Sequence, residues 1–244
     1  MIHQCLVEHR EQEASYWWFV NKRQAVGRLL KQGLPSRGRV LEAGCGGGLF
    51  GALLSDEGWD VVSGDKNPLA ARFAHEHGVT RTVAFDAGPS WPFRNGAFDA
   101  FLMLDVLEHI EQDLESLREA RRVLRPGGLG IVLAPAYPFL FSAWDNYVGH
   151  YRRYSRRGLC ALAREAGFEV ERWTYWNAVT LPAALILRLK DRLLGARLER
   201  GEFPRVPRFL NQLLCAYGRV EAAWVQRMRL CCGLSIIVVL RKPG

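Results

Sequence analysis

The chain has 244 residues, 49% of them hydrophobic, and a formal net charge of +8. This length and composition provide for a substantial core and exclude an intrinsically disordered protein. The positive charge is concentrated in residues 181–230, which carry ten Lys and Arg against four Asp and Glu, whereas the rest of the chain is close to neutral. Charge confined to one segment does not favour a nucleic-acid-binding protein, and we expect no nucleic-acid partner.

We expect a cytoplasmic protein. The first residues are charged and lack an apolar run followed by a small-residue cleavage site, so no secretory signal is predicted. The longest apolar runs, VTLPAALIL and LSIIVVL, are shorter than the roughly 20 residues of a transmembrane helix. Six cysteines are scattered without a C-x-x-C pair, which indicates neither a zinc site nor a disulfide framework.

Residues 1–36 are predicted to form an N-terminal helical cap. It carries an aromatic cluster, Tyr16-Trp17-Trp18-Phe19. Such a cluster either covers a ligand as a lid or packs in the core, and the sequence leaves both roles open.

Residues 37–177 alternate short β-type runs with helical patterns, which predicts a parallel sheet with crossover helices. Asn67 followed by proline predicts a helix start. The RPGG stretch at 125–128 predicts a turn into the fifth strand. Ser155 and Gly167 bracket a further helix. The predicted strands of this core are RVLEA, DVVSG, RTVAF, FDAFLML, LGIVLA and FEVERWTYW.

Residues 178–230 are predicted to be a helical insertion, and residues 231–244 a final strand that rejoins the sheet. A stripe of apolar residues with helical spacing is typical of core packing. Because the same segment carries the excess of basic residues, we instead expect a lid in peripheral contact with an anionic membrane. The stripe comprises Val206, Phe209, Leu210, Leu213, Leu214, Tyr217, Val220, Trp224 and Met228.

The stretch LEAGCGGGLFG contains two overlapping glycine patterns, each typical of a different cofactor. The first strand ends just before Gly44, so Gly44 is the first glycine of the turn. A dinucleotide-binding pattern that starts there requires glycine at the position of Leu49, and one that starts at Gly46 begins two residues late. This spacing weakens the prediction of an NAD-dependent oxidoreductase without eliminating it.

Three acids outside the turn favour the other cofactor. Glu42, at the end of the first strand, can accept hydrogen bonds from an ammonium group and would repel a pyrophosphate. Asp65, 21 residues after Gly44, is placed to bind both hydroxyls of a ribose. Asp86 follows the third strand and either accepts from an adenine amine or only forms an Asx turn. An amino acid, a ribose and an adenine together describe S-adenosyl-L-methionine (SAM).

With the motifs VLEAGCGGG, GDKN, WPFRNGAFDAFLMLDVLEHI, VLRPGG and GHYRRYS, the chain resembles the class I SAM-dependent methyltransferases, in the branch that includes ubiquinone-biosynthesis O-methyltransferases. The resemblance implies an α/β fold, a Rossmann-like doubly wound sheet of seven strands with an antiparallel last strand. It also implies that the cofactor is held by Glu42, Gly44, Gly46 and Gly48 at the methionine end, Asp65 at the ribose, Asp86 and Ala87 at the adenine, and Leu104 and Asp105 at the sulfonium.

The stretch DVLEHI offers three side chains with metal-ligating atoms. Asp105, Glu108 and His109 stand at i, i+3 and i+4, which brings them to one face if the segment is helical. Carboxylate and imidazole groups so arranged can bind a divalent cation. We nevertheless expect no metal, and predict that these groups shape the cofactor pocket or lie near the acceptor.

The stretch WDNYVGHYRRYS follows the fifth strand, at the edge of the sheet where ligands of open α/β folds bind. We predict that His150 and Tyr154 position an acceptor and remove its proton, with His109 as a further candidate base. The alternative is a structural loop in which Arg152 and Arg153 pair with acids.

The expected function is transfer of a methyl group from SAM to an oxygen, less readily a nitrogen or carbon, of a small or lipid-linked acceptor. The alternatives are the oxidoreductase and a non-catalytic binding protein that keeps the fold. The APAY stretch at 134–137 lacks the polar first residue and second proline of the N-P-P-Y type motif, so nucleic-acid methylation is not predicted.

Overall fold

A computed structural model describes residues 3–194 and 206–244 of the chain. Seven strands form one sheet. Their bounds are β1 (Arg39–Ala43), β2 (Asp60–Asp65), β3 (Arg81–Ala84), β4 (Phe98–Leu104), β5 (Leu124–Pro135), β6 (Glu169–Trp176) and β7 (Ser235–Arg241).

The strand order is β3-β2-β1-β4-β5-β7-β6. Strands β1 to β5 pair in parallel, and β7 runs antiparallel to both β5 and β6. Neighbouring residues of β1 bury their side chains in different apolar clusters, Val40 in one and Leu41 in the other. Because side chains alternate along a strand, these clusters lie on opposite faces of the sheet. The predicted seven-stranded, doubly wound α/β fold is confirmed.

Helices cover both faces of the sheet. Short 3₁₀ turns lie at Leu107–His109 and Pro138–Leu140. The α-helices are α1 (His3–Gln12), α2 (Trp17–Gly33), α3 (Leu49–Asp56), α4 (Pro68–Glu76), α5 (Asp113–Val123), α6 (Ala143–Val148), α7 (Arg156–Glu165), α8 (Leu181–Leu194) and α9 (Arg208–Arg227). Within the described ranges, no helix is both long and apolar enough to cross a membrane.

The helix starts predicted from capping residues are confirmed. The Asn67 side chain accepts a hydrogen bond from the N–H of Leu69 at 3.0 Å, and proline occupies the first position of α4. Ser155 accepts from the N–H of Gly158 at 3.0 Å at the start of α7. Each bond satisfies a backbone donor that the first helical turn leaves unpaired.

Strand β5 begins earlier than predicted. Leu124 already pairs with β4, and the next paired residue of β5 is Leu129. The RPGG residues 125–128 therefore form a bulge inside the strand rather than a turn before it. The Arg125 guanidinium lies 2.5 Å from the Asp99 carboxylate, opposite the bulge. Residue types that are typical of a turn are also typical of a bulge, because in both the backbone departs from the regular hydrogen bonding of a strand.

Helix α9, in the predicted insertion, packs along α2 of the N-terminal cap. The Asn21 side chain donates to the Leu214 carbonyl at 3.0 Å, and the N–H of Trp17 donates to the Asn211 side chain at 2.9 Å. These bonds join segments nearly two hundred residues apart in sequence. Helices α2 and α9 therefore pack against each other as one layer.

The aromatic cluster of the cap is divided between the core and the cleft above the sheet. The Trp18 ring packs edge-on against Trp176 at the end of β6, with ring centroids 4.9 Å apart. The Phe19 ring stacks on His9 of α1 at 4.2 Å. Trp18 therefore packs against the core, and a role of Phe19 as a lid over a ligand stays a prediction.

The chain reverses its direction of travel across the sheet at β1, which lies between β2 and β4. In open α/β sheets, ligands bind beyond the carboxyl ends of the strands at such a switch point. The turn after β1 and the 105–109 segment after β4 meet there. The fold thus brings the two stretches singled out in the sequence to one crevice.

Candidate active site

The turn between β1 and α3 requires glycine. Gly44 and Gly48 have φ values of 87° and 90°, in the left-handed region that other residues rarely adopt. A Cβ atom on Gly44 would collide with the side chain of Val106. The N–H of Gly44 donates to the Gly64 carbonyl of β2 at 2.7 Å. Gly44 is therefore the first turn residue, as the preferred glycine pattern requires.

Glu42 lies beneath this turn, with 4% of its surface exposed. The Ser63 hydroxyl donates to its Oε2 atom at 2.7 Å. Burial raises the pKa of the Glu42 carboxyl to about 8, and the Ser63 hydrogen bond opposes part of that rise. A cationic group bound beside this carboxyl would stabilise its ionised form.

Asp65 ends β2 and faces the glycine turn. Its Oδ2 atom accepts from the N–H of Gly46 at 3.2 Å, and its Oδ1 atom accepts from the N–H of Asn67 at 2.9 Å. Burial raises the pKa of this carboxyl, whereas the two backbone hydrogen bonds lower it. Each carboxylate oxygen retains a further lone pair, so the group can still accept from ligand hydroxyls.

Asp86 lies at the rim of the crevice, with 65% of its side chain exposed. It accepts from the N–H of Gly88 at 3.0 Å and lies 3.8 Å from the Lys66 ammonium group. The Asx turn considered for this residue is therefore present. Ala87 is buried, and its carbonyl accepts from the Ser116 hydroxyl at 2.6 Å.

The N-terminal cap lies over the glycine turn. The Glu13 carboxylate accepts from the N–H of Leu49, the first residue of α3, at 3.3 Å. A Cβ atom on Gly46 would lie 2.8 Å from the His9 ring, which stacks on Phe19. Together these elements enclose a cavity of about 40 Å³, lined by His9, Glu13, Phe19, Lys22, Arg23, Glu42, Gly44, Cys45, Phe50 and Leu104.

Two carboxyl groups therefore border the turn. Burial raises the pKa of Glu13 to about 7, next to Glu42 with its pKa of about 8. In dinucleotide-binding folds, the helix N-terminus after the turn binds the pyrophosphate. Here the Glu13 carboxyl accepts from the N–H of Leu49 at the start of α3, so a phosphate group would have to displace it.

The DVLEHI stretch does not form the single helical face considered for it. Asp105 adopts a left-handed conformation, with a φ of 57°, and the 3₁₀ turn starts only at Leu107. The Asp105 carboxylate pairs with the Lys22 ammonium group of α2 at 2.8 Å. The expectation that Asp105 shares one helical face with Glu108 and His109 is therefore wrong. Strand β4 is followed by a residue in the left-handed conformation and not by an α-helix.

The loop after β5 holds a His–Asp pair. Asp145 lies in α6 and is fully buried, and its Oδ1 atom is 2.8 Å from the Nδ1 atom of His150. Burial opposes ionisation of Asp145, but hydrogen bonds from His150 and Arg153 outweigh it and lower its pKa to about 2. The carboxylate fixes the orientation of the His150 ring and leaves its Nε2 atom available.

A second carboxyl faces the same imidazole. Glu108 is fully buried, and neither of its side-chain oxygens has a hydrogen-bond partner within the described part of the chain. Its Oε1 atom lies 3.8 Å from the Nε2 atom of His150. Burial, with the nearby Asp105 carboxylate, raises the pKa of Glu108 well above its ordinary value.

His109 completes this group. Its ring contacts the His150 ring edge-on at 4.6 Å, and its Nδ1 atom lies 3.1 Å from the Gly149 carbonyl. Burial lowers the pKa of His109 to about 4. One ligand atom from each of Glu108, His109 and His150 lies within 4.8 Å of the other two, which makes them a candidate cation site.

Tyr154 and the two arginines anchor the loop. The Tyr154 hydroxyl donates to the Asp113 carboxylate at 2.8 Å, and its burial raises its pKa far above the ordinary value. Arg152 pairs with the same Asp113 carboxylate, and Arg153 with Asp145, both at 2.8 Å. The pinned loop considered as the alternative is present, and it is this pinning that presents His150. A catalytic role for Tyr154 stays a prediction.

The family model for a methyltransferase domain matches residues 9–172, about two thirds of the chain. The chain belongs to this family. The predicted recognition as a class I SAM-dependent methyltransferase is confirmed, and with it SAM as the cofactor. Among curated relatives, the ubiquinone biosynthesis O-methyltransferase of Roseobacter denitrificans is 33% identical over 102 residues. That match covers 40% of this chain and 41% of the relative. This chain therefore spans about two fifths of the length of that relative.

Solved structures share the fold. The Haloferax volcanii putative methyltransferase, in a complex with the Trm112 methyltransferase activator, has a TM-score of 0.65 at 17% identity, over 99% of this chain and 95% of that one. The Haemonchus contortus phosphoethanolamine N-methyltransferase 2, in complex with SAM, has a TM-score of 0.59 at 17% identity, over 91% of this chain and 52% of that one. At this identity the likeness concerns the fold alone.

The residues present fit the methionine end of SAM. The small cavity beside the glycine turn is lined by Gly44 and by the buried Glu42 carboxyl. An α-ammonium group is the complement of such a carboxyl. Leu104 lines the same cavity. Of the predicted cofactor-binding residues, Asp86 is the one whose side chain lies mostly in solvent.

Sequence reasoning missed three charged residues of this site: Glu13, Lys22 and Asp145. Ser142 and Asp145 form a capping box, with the Ser142 N–H donating to the carboxylate at 2.9 Å, so the S-x-x-D pattern predicts that Asp145 faces a helix start. No comparable signal marks Glu13 or Lys22, since their partners lie far away in sequence.

Proposed function

We propose that this methyltransferase transfers the methyl group of SAM to a hydroxyl oxygen of a small or lipid-linked acceptor, with His150 as the general base. The contact of 2.8 Å between His150 and the buried, ionised Asp145 carries this proposal. Transfer to oxygen requires removal of a proton, and an oriented imidazole performs that step. The matched relative, named as an O-methyltransferase of ubiquinone biosynthesis, supports an oxygen acceptor.

The cofactor would be held at the carboxyl edge of β1, β2 and β4. When bound, SAM supplies a methyl group that its positively charged sulfur makes electrophilic. We assign the ammonium contact to Glu42, the ribose hydroxyls to Asp65 and the sulfonium side to Leu104 and Asp105. The backbone of Gly44, Gly46 and Gly48 would lie against the methionine, and Asp86 and Ala87 near the adenine.

The contact between His150 and Asp145 determines which ring nitrogen removes the proton. Its Nδ1 atom donates to Asp145, so Nε2 is the nitrogen that accepts a proton from the acceptor hydroxyl. The O–H bond of the acceptor would break and its proton would move to Nε2, while the new O–CH₃ bond would replace the S–CH₃ bond of SAM and S-adenosylhomocysteine would leave. The imidazolium so formed lies between Asp145 and Glu108, 3.8 Å from the latter. The negative charge of Asp145 stabilises it.

The two alternative functions make different demands on the site. An NAD-dependent oxidoreductase would place a pyrophosphate at the N-terminus of α3, where the Glu13 carboxyl already accepts from the N–H of Leu49 and would have to be displaced. A non-catalytic protein of the same fold would bind SAM without turnover. A non-catalytic function would not explain why the His150 imidazole lies between two buried carboxyl groups at the edge of the sheet where ligands bind.

The test is methyl transfer from labelled SAM to paired acceptors that carry either a hydroxyl or an amine, each with and without an alkyl tail. We expect transfer to the hydroxyl compounds. His150→Ala should lower that transfer roughly a hundredfold, the typical contribution of a general base, and leave SAM affinity within about twofold. Asp145→Asn keeps the shape but not the charge, and should lower kcat more than it raises KM.

His75 provides the matched control, because this exposed histidine of α4 lies outside the site. His75→Ala should transfer methyl groups at the wild-type rate. Transfer confined to amines, or an unchanged rate in His150→Ala, would contradict the proposal. An equal loss of SAM binding and of transfer in His150→Ala would make the loop structural rather than catalytic.

A further inference from the structure

Helix α9 presents an exposed apolar surface, which we call the α9 stripe. Its six large apolar side chains are each at least 41% exposed, and Phe209 is 77% exposed. Phe209 and Leu210 are adjacent, and the members that follow stand three, seven, four and four residues apart, so those within α9 share one side of the helix, which Met228 directly follows. The stripe comprises Phe209, Leu210, Leu213, Val220, Trp224 and Met228.

The stripe is not the packing side of α9. Gly218, Ala222 and Val225 are buried on a different side of the helix, where Gly218 fits against the Asn21 side chain of α2. The segment that sequence analysis allowed as plain core thus divides into a buried side and an apolar side open to solvent. Contiguous exposed apolar surface of this kind marks an interaction site.

The exposed charged residues of the 206–230 segment have one sign. Residues 206–230 contain four arginines and a single acid, Glu221. Glu221 is 1% exposed and accepts from the N–H groups of Asn177 and Ala178 at 3.1 and 2.8 Å, so it contributes no surface charge. The four arginines, Arg208, Arg219, Arg227 and Arg229, are all exposed.

We propose that the α9 stripe docks on an anionic lipid bilayer, with its apolar side chains inserted among the lipids and the arginines against the headgroups. An apolar helix face with a basic rim has the composition of an interfacial helix. A second copy of this chain is the less favourable occupant, because a symmetric interface would bring the same arginines of both copies together.

The docking surface is connected to the active site. Helix α9 packs on α2, whose Phe19 and Lys22 line the cofactor cavity. Arg188 of α8 lies 3.8 Å from the Asp145 carboxylate that orients His150. Docking therefore brings a lipid-linked acceptor to the same end of the molecule. This consequence rests on the proposed function, whereas the docking itself does not.

The test is co-sedimentation of the full chain with vesicles of phosphatidylcholine alone or with increasing phosphatidylglycerol, at low and high salt. We expect binding that grows with phosphatidylglycerol and weakens with salt. Leu213→Gln should lower partitioning roughly tenfold, because a leucine inserted into lipid contributes about 1.5 kcal/mol. The matched control is Leu53→Gln on α3, a leucine 41% exposed outside the stripe, which should bind as wild type.

The charge is tested by replacing Arg208 and Arg219 with glutamine. At about 1 kcal/mol for each basic residue, this double variant should bind anionic vesicles about thirtyfold more weakly. The same two changes at Arg94 and Arg118, which are exposed elsewhere, should have a much smaller effect. SAM affinity, measured on every variant, should stay at the wild-type value and shows that each variant is folded.

Several outcomes would overturn docking on lipid. They are absence of binding at every composition, equal binding to neutral and anionic vesicles, or equal losses in Leu213→Gln and Leu53→Gln. A dimer in sedimentation velocity that Leu213→Gln dissociates would assign the stripe to a second copy instead. Vesicle binding without any methyl transfer would count against the proposed function and leave the docking intact.

Discussion

Replacing Glu42 by glutamine should stabilise the ligand-free protein at alkaline pH and weaken its binding of SAM. The wild-type carboxyl has its pKa raised by burial from 4.5 to about 8. A carboxyl with a raised pKa in the folded state contributes stability below pH 4.5 that is lost as the pH rises through 8, because the unfolded chain ionises first. The size of this loss is on the order of 5 kcal/mol.

Glutamine does not ionise, and its side-chain carbonyl can still accept from the Ser63 hydroxyl. The assay is urea unfolding of wild type and Glu42→Gln at pH 5, 6.5 and 8 without SAM. We expect the free energy of unfolding of the variant, relative to that of the wild type, to increase at each step toward pH 8. The control is Glu57→Gln, an exposed carboxyl paired with Lys31, which should show no such trend. Parallel pH profiles for Glu42→Gln and wild type would refute this reasoning.

The same variant should bind SAM roughly thirtyfold more weakly, since a charge-assisted hydrogen bond to the ammonium group contributes about 2 kcal/mol; calorimetry that gives equal affinities would remove Glu42 from the site. Asp65→Ala should lower SAM affinity by a similar factor through the lost ribose contact, and a folded variant with wild-type affinity would show that the assignment of Asp65 is wrong. Removal of divalent cations with EDTA should leave methyl transfer within about twofold. A loss that Mg²⁺ or Zn²⁺ restores would instead assign a metal to Glu108, His109 and His150.

The sheet could be predicted from sequence because its signals are local. Each parallel strand is a short apolar run, and Asn67 and Ser155 mark helix starts through bonds to residues two or three positions away. The bulge in β5 was missed for the same reason, because residues 125–128 carry turn-forming types whether the chain turns or bulges.

The chemistry of the site depended on distant contacts that no local pattern contains. Lys22 reaches Asp105 across 83 residues, and Glu13 reaches Leu49 across 36. Both contacts follow from how the N-terminal cap packs over the sheet, which apolar spacing does not specify. His150 was predicted from its place after β5, but its partner Asp145 is brought close only by the short helix α6.

The glycine turn posed the choice between two cofactors, and equilibrium binding to the wild-type chain decides it most directly. Calorimetric titrations with SAM, S-adenosylhomocysteine and NADH should be run at one pH and salt concentration. Because Glu42 and Glu13 border the turn, we expect SAM and S-adenosylhomocysteine to bind with one site per chain and NADH to give no heat of binding. Binding of NADH that SAM competes away would contradict this account of the site.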